Sequence, residues 1–426
     1  MEGTKSESKL MKNKFRFILL IISASLIYGL PYFRLYYYDA YLTIFKLTNT
    51  QIGTLGSIYG IFGMISYLLG GVLADRIPVK ILVAFSLIGT GLGGLIHLTK
   101  PSYTVLVLIY AWWGITSLLT FWPAFVKGIR LLANSNEQGK AFGLMEGGRG
   151  VVNALHLAIA LAIFGFATKA ANDSAGINGV VLFYSVVVIC LGILTFLFIK
   201  DGENEASEKF ELSNIGKVLK MPAVWILTII LCASYTMNMS FYYFTPYATG
   251  VFGATALFGA ILTMLAQYVR PFASSAAGII GDKIGCSKIL LFGFSAMTIG
   301  TALVIFTPGQ TNLIPILIIG CIIIYVAMYS NYGVIFSLME EGGIPLALSG
   351  TAIGVISTIG YLPEVFVPYL AGKTLDTYGG VTGYRYYFIG VIIVLIIGFV
   401  ATMVWSKMIT KNITKNRKNA IENLSS

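Results

Sequence analysis

Residues Gln267–Lys288 read QYVRPFASSAAGIIGDKIGCSK. The run begins in an apolar helix that carries Arg270 and ends in a turn with Asp282, Gly285 and Lys288. Asp282 marks a membrane surface, and Arg270 comes twelve residues earlier, which is about 18 Å at ~1.5 Å of helical rise per residue. That depth is close to the middle of a ~30 Å hydrocarbon layer. An arginine there is costly without a partner, so Arg270 is a candidate functional residue.

The composition is that of a membrane protein. Of the 426 residues, 57% are hydrophobic and 11% are charged, and the mean hydropathy is +0.82. A soluble domain could not bury this much apolar surface, so lipid must solvate most of it. The net charge of +11 does not indicate nucleic-acid binding, because the basic residues lie in short segments between apolar runs. The four cysteines show no CxxC spacing and indicate neither a disulfide framework nor a metal site. We expect no cofactor.

About twelve apolar segments of membrane-spanning length follow one another along the chain. We expect all of them to be helices, because lipid offers the backbone no other hydrogen-bond partner. The predicted spans are 17–38, 52–74, 81–98, 103–125, 141–167, 180–199, 223–247, 254–278, 289–306, 313–338, 347–370 and 387–409. Lysine and arginine concentrate in both tails and after the even-numbered spans, which predicts cytoplasmic termini.

The chain divides into two similar halves. GIIGDKIGCSK (Gly278–Lys288) echoes GGVLADRIPVK (Gly70–Lys80), with Asp282 207 residues after Asp75. GTAIGVISTI (Gly350–Ile359) echoes GKAFGLMEGG (Gly139–Gly148) at an offset of 211 residues. Two echoes at nearly one half-length indicate a duplication. The polar run Asp201–Lys220 between the halves reads as a linker, in part an amphipathic surface helix. We predict a cytoplasmic tail at 1–16, a six-helix bundle at 17–199, a cytoplasmic linker at 200–221, a second six-helix bundle at 222–409 and a cytoplasmic tail at 410–426.

The turn after the second span carries the pattern G-x-L-A-D-R-x-x-x-K, and a weaker copy follows the eighth span. Together they resemble the signature loop of the major facilitator superfamily, and the resemblance covers the whole chain. It implies two pseudo-symmetric six-helix bundles that alternate access to a substrate site near the midplane. A carboxylate at a helix end beside basic residues forms a breakable latch between spans. The candidate gating residues of these loops are Asp75, Arg76, Asp282 and Lys288.

Two arginines inside predicted spans indicate an anionic substrate. Arg34 lies about two thirds of the way out along the first span by helical rise, and Arg270 lies near mid-depth in the eighth. Guanidinium groups bind carboxylate or phosphate through paired hydrogen bonds. The alternative is that each arginine pairs internally, Arg34 with Asp39 or Arg270 with Glu364.

Two branches of the superfamily share further motifs with the chain. The run R-P-F…G…G-D-K-I-G that begins at Arg270 is similar to the eighth span of oxalate:formate antiporters, whose equivalent arginine contacts a carboxylate. Those antiporters also use a lysine in the eleventh span, where this chain carries Glu364. FWPAFVKGIR (Phe121–Arg130) and EQGKAFG (Glu137–Gly143) resemble elements of organophosphate:phosphate antiporters, which use arginines in the first and seventh spans. Arg34 matches the first arginine and the seventh span has none, so neither branch is fully matched.

Two further charged positions stay open at this point. Glu146 and Arg149 are three residues apart and can pair on one helix face near a cytoplasmic gate, so Arg149 is either structural or part of the substrate path. Glu364, in the eleventh span, is a candidate proton carrier, a salt-bridge partner of Arg34 or Arg270, or a contact for a cationic part of the substrate.

Aromatic and amide side chains are dense where a cavity should lie. Some must be anchors at the membrane interface, but tyrosines near the midplane would stack on an organic solute and donate hydrogen bonds to it. The candidate contacts besides the arginines are Tyr38, Tyr242, Asn238, Tyr329 and Trp122.

No enzyme motif is present, since the chain shows no set of nucleophile, base and orienting residue, no phosphate loop and no metal spacing. We predict a secondary active transporter of a small organic anion, a carboxylate or a phosphorylated solute, acting as an antiporter or a proton-coupled symporter. The alternative is a proton-coupled exporter of drug-like or cationic amphipathic compounds. We expect a monomer in the lipid bilayer of a bacterial inner membrane, with the solute and possible protons as partners and no nucleic acid.

Overall fold

The computed structural model describes residues 8–134, 137–199, 212–345 and 348–425. It does not describe the side chains of residues 67–68, 71–72, 75, 138–139, 212–214, 340, 349–350 and 410–425. The described part of the chain consists almost entirely of helices and contains no strand. The expectation that every span is helical is therefore confirmed.

Twelve long helical segments correspond to the predicted spans, and we number them in chain order. They are Lys14–Leu26 with Gly29–Tyr36, Asn49–Arg76, Val79–His97, Tyr103–Leu131, Gln138–Ala170, Asp173–Phe198, Pro222–Phe252, Ala256–Ile284, Cys286–Phe306, Thr311–Ser337, Ser349–Gly360 with Pro363–Tyr378, and Gly380–Ser425. Within the described residues, 11 of them are long and apolar enough to cross a membrane. The remaining segment is the second span, a 28-residue helix with five undescribed side chains.

Several spans are interrupted. The fourth contains a π-helix at Gly114–Phe121 between the α-helices Tyr103–Trp113 and Trp122–Leu131. The eleventh stops before Pro363, which lacks the N–H that a continuous helix needs. The eighth continues through Pro271, directly after Arg270. Such interruptions are tolerated in a membrane where neighbouring helices satisfy the freed backbone groups.

The spans pack as two groups. The first six pack among themselves, chiefly the third against the sixth, the first against the fifth and the second against the fourth. The last six do the same, chiefly the ninth against the tenth and the seventh against the twelfth. The groups meet mainly where the second span packs on the eleventh and the fifth on the eighth. Large apolar side chains point outward, Phe166 and Phe272 being 77% exposed, as expected where lipid replaces water.

The two signature loops turn by different means. Gly285 follows the eighth span with a φ of +97°, which favours glycine. In the first copy the helix ends at Arg76, and Pro78 precedes the next helix in an extended conformation. Asp282 and Lys288 are exposed, and the side chain of Asp75 lies outside the described part. The latch stays a prediction.

Of the predicted linker, residues 200–211 lie outside the described part. The remainder forms a short helix, Leu212–Leu219, in which Val218 is buried and Lys217 is exposed. An amphipathic surface helix is the expected form of this sequence.

Candidate functional site

The two groups of spans touch closely at the face of the bundle away from the chain ends, which we call the opposite face. There the carboxylate of Asp376 accepts hydrogen bonds from the backbone N–H groups of Asn49 (3.0 Å) and Thr50 (2.7 Å). The Thr249 hydroxyl donates to Asp39 over 2.6 Å. A methyl group added at Gly60 would meet the backbone of Glu364 at 2.7 Å. The opposite face is closed.

The face that carries both chain ends, which we call the terminal face, is open between the groups. Four of the glycines near this face have empty space beside them, since a Cβ added to any of the four would meet no other group within 4 Å. These positions are Gly143, Gly147, Gly278 and Gly354. Spans that are tightly packed at one end and separated at the other enclose a cavity that opens to the terminal face.

The main cavity has a volume of about 230 Å³ and is lined by the first, fifth, sixth, seventh, eighth and tenth spans. Arg149 and Arg270 supply its charges, from the fifth and eighth spans respectively. Asn153, Asn238 and Gln267 supply amide groups. The tyrosines that line it are Tyr28, Tyr32, Tyr36, Tyr37, Tyr184, Tyr235, Tyr242, Tyr329 and Tyr332.

Arg270 lies where the fifth and eighth spans approach each other. Its guanidinium lies over the Tyr329 ring, 5.7 Å from the centroid, and its side chain is 34% exposed. A Cβ added at Gly150 would lie 3.7 Å from Pro271, an ordinary van der Waals distance, which shows how near the two spans come at this point. The guanidinium therefore faces the cavity, while Phe272 on the other side of the helix faces outward.

Arg149 is held from two sides. Its guanidinium lies 5.0 Å from the centroid of the Trp122 ring, and its Nη1 lies 3.0 Å from Oε1 of Glu146. The other carboxylate oxygen of Glu146 lies 3.9 Å from Nη2 of Arg270. The predicted pair Glu146–Arg149 is therefore present, and the same carboxylate also reaches the arginine of the other group of spans.

A second cavity of about 150 Å³ adjoins the first, with Tyr28, Tyr32 and Tyr235 in the walls of both. Glu364 and Trp122 line it. Tyr32 donates a hydrogen bond to Oε1 of Glu364 over 2.5 Å, and Tyr235 donates to Oε2 over 3.1 Å. The carboxylate thus links the first span to the seventh through two hydroxyl groups.

Four of the residues predicted to contact substrate line the main cavity: Arg270, Tyr242, Asn238 and Tyr329. Trp122 lines the second cavity. Arg34 and Tyr38 lie in neither, being 3% and 1% exposed. Arg34 donates to the carbonyl of Pro31 and lies over the Tyr110 ring at 4.7 Å, while Tyr38 donates to the Asn49 side chain over 2.8 Å.

The internal ion pairs that were considered for the arginines do not form. In the part of the chain that the structure describes, Arg34 has no carboxylate within 4.0 Å, and Asp39 binds Thr249 instead. Arg270 approaches Glu146 and not Glu364. Neither of the two alternative pairings, Arg34 with Asp39 and Arg270 with Glu364, is present among the described residues.

Three polar residues of the main cavity were not singled out from the sequence. Asn153 and His156 follow Arg149 by four and seven residues, and Gln267 precedes Arg270 by three. Each shares a helix face with its arginine, so the period of the helix would have identified them. His156 lies 2.9 Å from the Tyr184 hydroxyl and 3.2 Å from the Asn153 side chain, which fixes these groups at the cavity wall.

The sequence profile of the Major Facilitator Superfamily matches residues 16–368. The chain belongs to this superfamily. Its members are transporters, which confirms the predicted major facilitator fold and the expectation that the chain is not an enzyme. The resemblance to the oxalate:formate and organophosphate:phosphate branches stays a hypothesis.

Known proteins resemble this member of the superfamily over most of its length. The inner membrane protein YqcE of Escherichia coli is 29% identical over 86% of this chain and 88% of its own. The inner membrane protein YihN of the same bacterium is 29% identical over 95% of this chain and 97% of its own. These similarities agree with the predicted multi-pass protein of a bacterial inner membrane.

A crystal structure of a bacterial homologue of the human lysosomal transporter Spinster has the same fold, with a TM-score of 0.75. It covers 95% of this chain and 97% of its own, at 13% identity.

Proposed function

We propose that the protein is a secondary active transporter of a small organic anion, a carboxylate or a phosphorylated solute, that works by alternating access. The observation that carries the proposal is the charge of the main cavity. Arg149 and Arg270 line it, and none of the other described residues that line it is an aspartate or a glutamate, although Glu146 contacts both arginines from outside the lining. Guanidinium groups bind carboxylate and phosphate oxygens in pairs.

In this proposal the second arginine that binds the anion is Arg149, and not Arg34 as the sequence predicts. Its side chain is only 12% exposed, and its Nε is buried without a hydrogen-bond partner among the described residues. A buried donor without an acceptor is costly. The Nε of Arg34 is likewise buried without a partner among the described residues, but Arg34 lines neither cavity. A bound oxyanion in the main cavity could supply the acceptor to Arg149, which supports Arg149 as a ligand of the anion.

The rest of the cavity fits an organic body. Liquid water takes up ~30 Å³ per molecule, so a cavity of about 230 Å³ has room for more than a bare ion. Asn238 has only a 3.9 Å contact with the Met328 sulfur, and the Tyr329 hydroxyl is buried without a partner among the described residues. These groups would hydrogen-bond the hydroxyl or carbonyl groups of a polar solute.

Alternating access would proceed from the arrangement described above. The contacts of Asp376 and Asp39 across the opposite face would break, and the fifth and eighth spans would close over the terminal face. We place the termini in the cytoplasm, because the basic residues flank the terminal face. On this orientation the cavity opens inward. We expect the transporter to work as a monomer.

Glu364 is the proposed coupling residue. It is partly buried, links the two groups of spans through Tyr32, and lines a cavity that adjoins the anion site. Intramembrane carboxyl groups in such positions serve proton relays. Both anion–proton symport and anion exchange are compatible with a carboxyl group beside the anion site.

Glu364 also favours the second candidate function, a proton-coupled exporter of cationic amphipathic compounds. The carboxylate stands among Tyr28, Tyr32, Tyr235 and Trp122, and aromatic rings with one carboxylate form a site for an organic cation. The adjoining arginines disfavour this function, because they would repel a cation.

Uptake into proteoliposomes tests the proposal. Radiolabelled glycerate and glycerol 3-phosphate serve as a carboxylate and a phosphate probe with the same hydroxylated body, and labelled tetraphenylphosphonium as a cation. The wild type should take up at least one anion, and Arg270→Gln should reduce this uptake at least tenfold at an anion concentration below half-saturation. Arg385→Gln is the matched control, because Arg385 is exposed at the opposite face. Cation uptake with no anion uptake, or undiminished anion uptake by Arg270→Gln, would overturn the proposal.

A further inference from the structure

Glu146 lies against both cavity arginines without lining the cavity itself. Its Oε1 is 3.0 Å from Arg149 and its Oε2 is 3.9 Å from Arg270. It stands about one helical turn nearer the terminal face than Arg149, and its side chain is 52% exposed. One carboxylate therefore reaches guanidinium groups from both groups of spans, at the mouth of a cavity whose described lining residues include no aspartate or glutamate.

A carboxylate in this place is chemically equivalent to the head group of the proposed substrate. Because it is tethered to the fifth span, it is present at a high effective concentration in every molecule. A solute anion must displace it to bind both arginines. When the solute leaves, Glu146 can return.

The same contact bears on how an empty transporter could change conformation. Closing a low-dielectric site around two unpaired guanidinium groups carries a large desolvation penalty. A transporter with such a site would move only when loaded, which limits it to exchange. Glu146 offers the missing negative charge, and it approaches Arg270 across the two spans that must come together when the terminal face closes.

We propose that Glu146 is an intramolecular substitute for the substrate anion, which lets the empty transporter reorient and so permits net transport instead of strict exchange. The inference rests on the proposed function and deepens it. It assigns Glu146 two effects that go together: it weakens anion binding by competition, and it speeds the return of the empty form.

The test compares two assays in proteoliposomes that contain the full chain, with labelled glycerate and glycerol 3-phosphate as probes. Net uptake is measured into empty vesicles, and exchange into vesicles loaded with the same unlabelled anion. In Glu146→Gln, net uptake should fall at least tenfold while exchange persists. The anion concentration for half-maximal exchange should fall about fivefold, since an exposed ion pair of ordinary strength is lost.

Two variants serve as controls. Glu341→Gln removes the same charge from an exposed position at the terminal face and should behave as the wild type. Glu146→Asp keeps the charge and should keep net uptake. Persistence of exchange in Glu146→Gln shows that this variant is folded.

The outcomes separate the inference from the function on which it rests. Three outcomes would overturn the inference and leave the proposed anion transport intact. They are an equal loss of net uptake and exchange in Glu146→Gln, unchanged net uptake in Glu146→Gln, and a wild type that shows exchange but no net uptake. A wild type that moves neither anion in either assay would overturn the proposed function, and the inference with it.

Discussion

The carboxylate of Asp376 caps the helix that begins at Asn49, 327 residues earlier in the chain. One oxygen accepts from the backbone and side-chain nitrogens of Asn49 at 3.0 and 2.8 Å, and the other accepts from the N–H of Thr50 at 2.7 Å. Helix N-termini favour such anionic acceptors because their first N–H groups have no partner within the helix. The second span is thus capped by the eleventh, which holds the opposite face shut.

Asp376→Asn should shift the protein towards a form that is open at the opposite face. The loss of a negative charge at a helix N-terminus costs up to about 1 kcal/mol, which corresponds to at most about a fivefold change in the population ratio. Spin labels at Thr43 and Thr377, both exposed at this face, would report longer distances in the variant. Asp173→Asn is the matched control, because Asp173 is exposed at the same face. An unchanged distance distribution in Asp376→Asn would contradict the capping role.

A second contact at this face depends on pH. Burial raises the pKa of Asp39 above its usual range, although the hydrogen bond from Thr249 offsets part of that effect. Opening would hydrate Asp39 and return its pKa towards the ordinary value. The pKa of Asp39 is therefore higher in the closed form than in the open form, so the closed form binds the proton more tightly. Acidification from neutral pH favours closure, and a rise in pH favours opening.

The same pair of spin labels measures this dependence in a pH titration. The wild type should show a growing closed population as the pH falls, and Asp39→Asn, which mimics the protonated form, should show a weaker dependence. A closed population that grows with rising pH would refute the role of Asp39.

Arg34 and Arg270 should respond differently to the same substitution. Arg34 is 3% exposed, donates a hydrogen bond to the Pro31 carbonyl and contacts the Tyr110 ring, whereas Arg270 faces the cavity. Arg34→Gln should leave the half-saturating anion concentration within about twofold of the wild type, since no contact with the anion is lost. Arg270→Gln should raise it by tenfold or more. A folded Arg34→Gln protein that no longer binds the anion would show that Arg34 contributes to the binding site.

The contrast between these arginines shows what a membrane sequence can predict. Depth along a helix follows from counting residues, and the repeated loops locate the membrane surface, so the position of Arg270 near mid-depth could be read directly. The direction in which a side chain points around the helix axis can be predicted only where the helix has distinct polar and apolar faces. Arg34 is surrounded by aromatic residues on all sides of its helix, in the run Pro31–Tyr41, and this pattern does not distinguish the cavity from the protein interior.

Contacts between the halves could not be predicted in the same way. The sequence predicts that Glu146 pairs with Arg149, because the two are three residues apart on one helix. Its approach to Arg270 depends on how the fifth span packs against the eighth, for which the local sequence holds no signal. The same holds for Glu364, whose partners Tyr32 and Tyr235 lie 332 and 129 residues away.

Glu364→Gln should uncouple transport from the proton gradient. The glutamine keeps the shape of the side chain. Its amide oxygen can accept from one of the two tyrosines and its NH2 group can donate to the other, but it cannot take up or release a proton. We expect a pH gradient that is acidic outside to stimulate anion uptake by the wild type and not by Glu364→Gln. Exchange between internal and external anion should persist in the variant, because it needs no net proton movement. Glu341→Gln, with the same chemical change at an exposed position, should keep the full stimulation. If the pH gradient still stimulates uptake by Glu364→Gln, this carboxyl group is not the coupling site. If the variant loses both the stimulation and the exchange, the carboxyl group is needed for the conformational change itself.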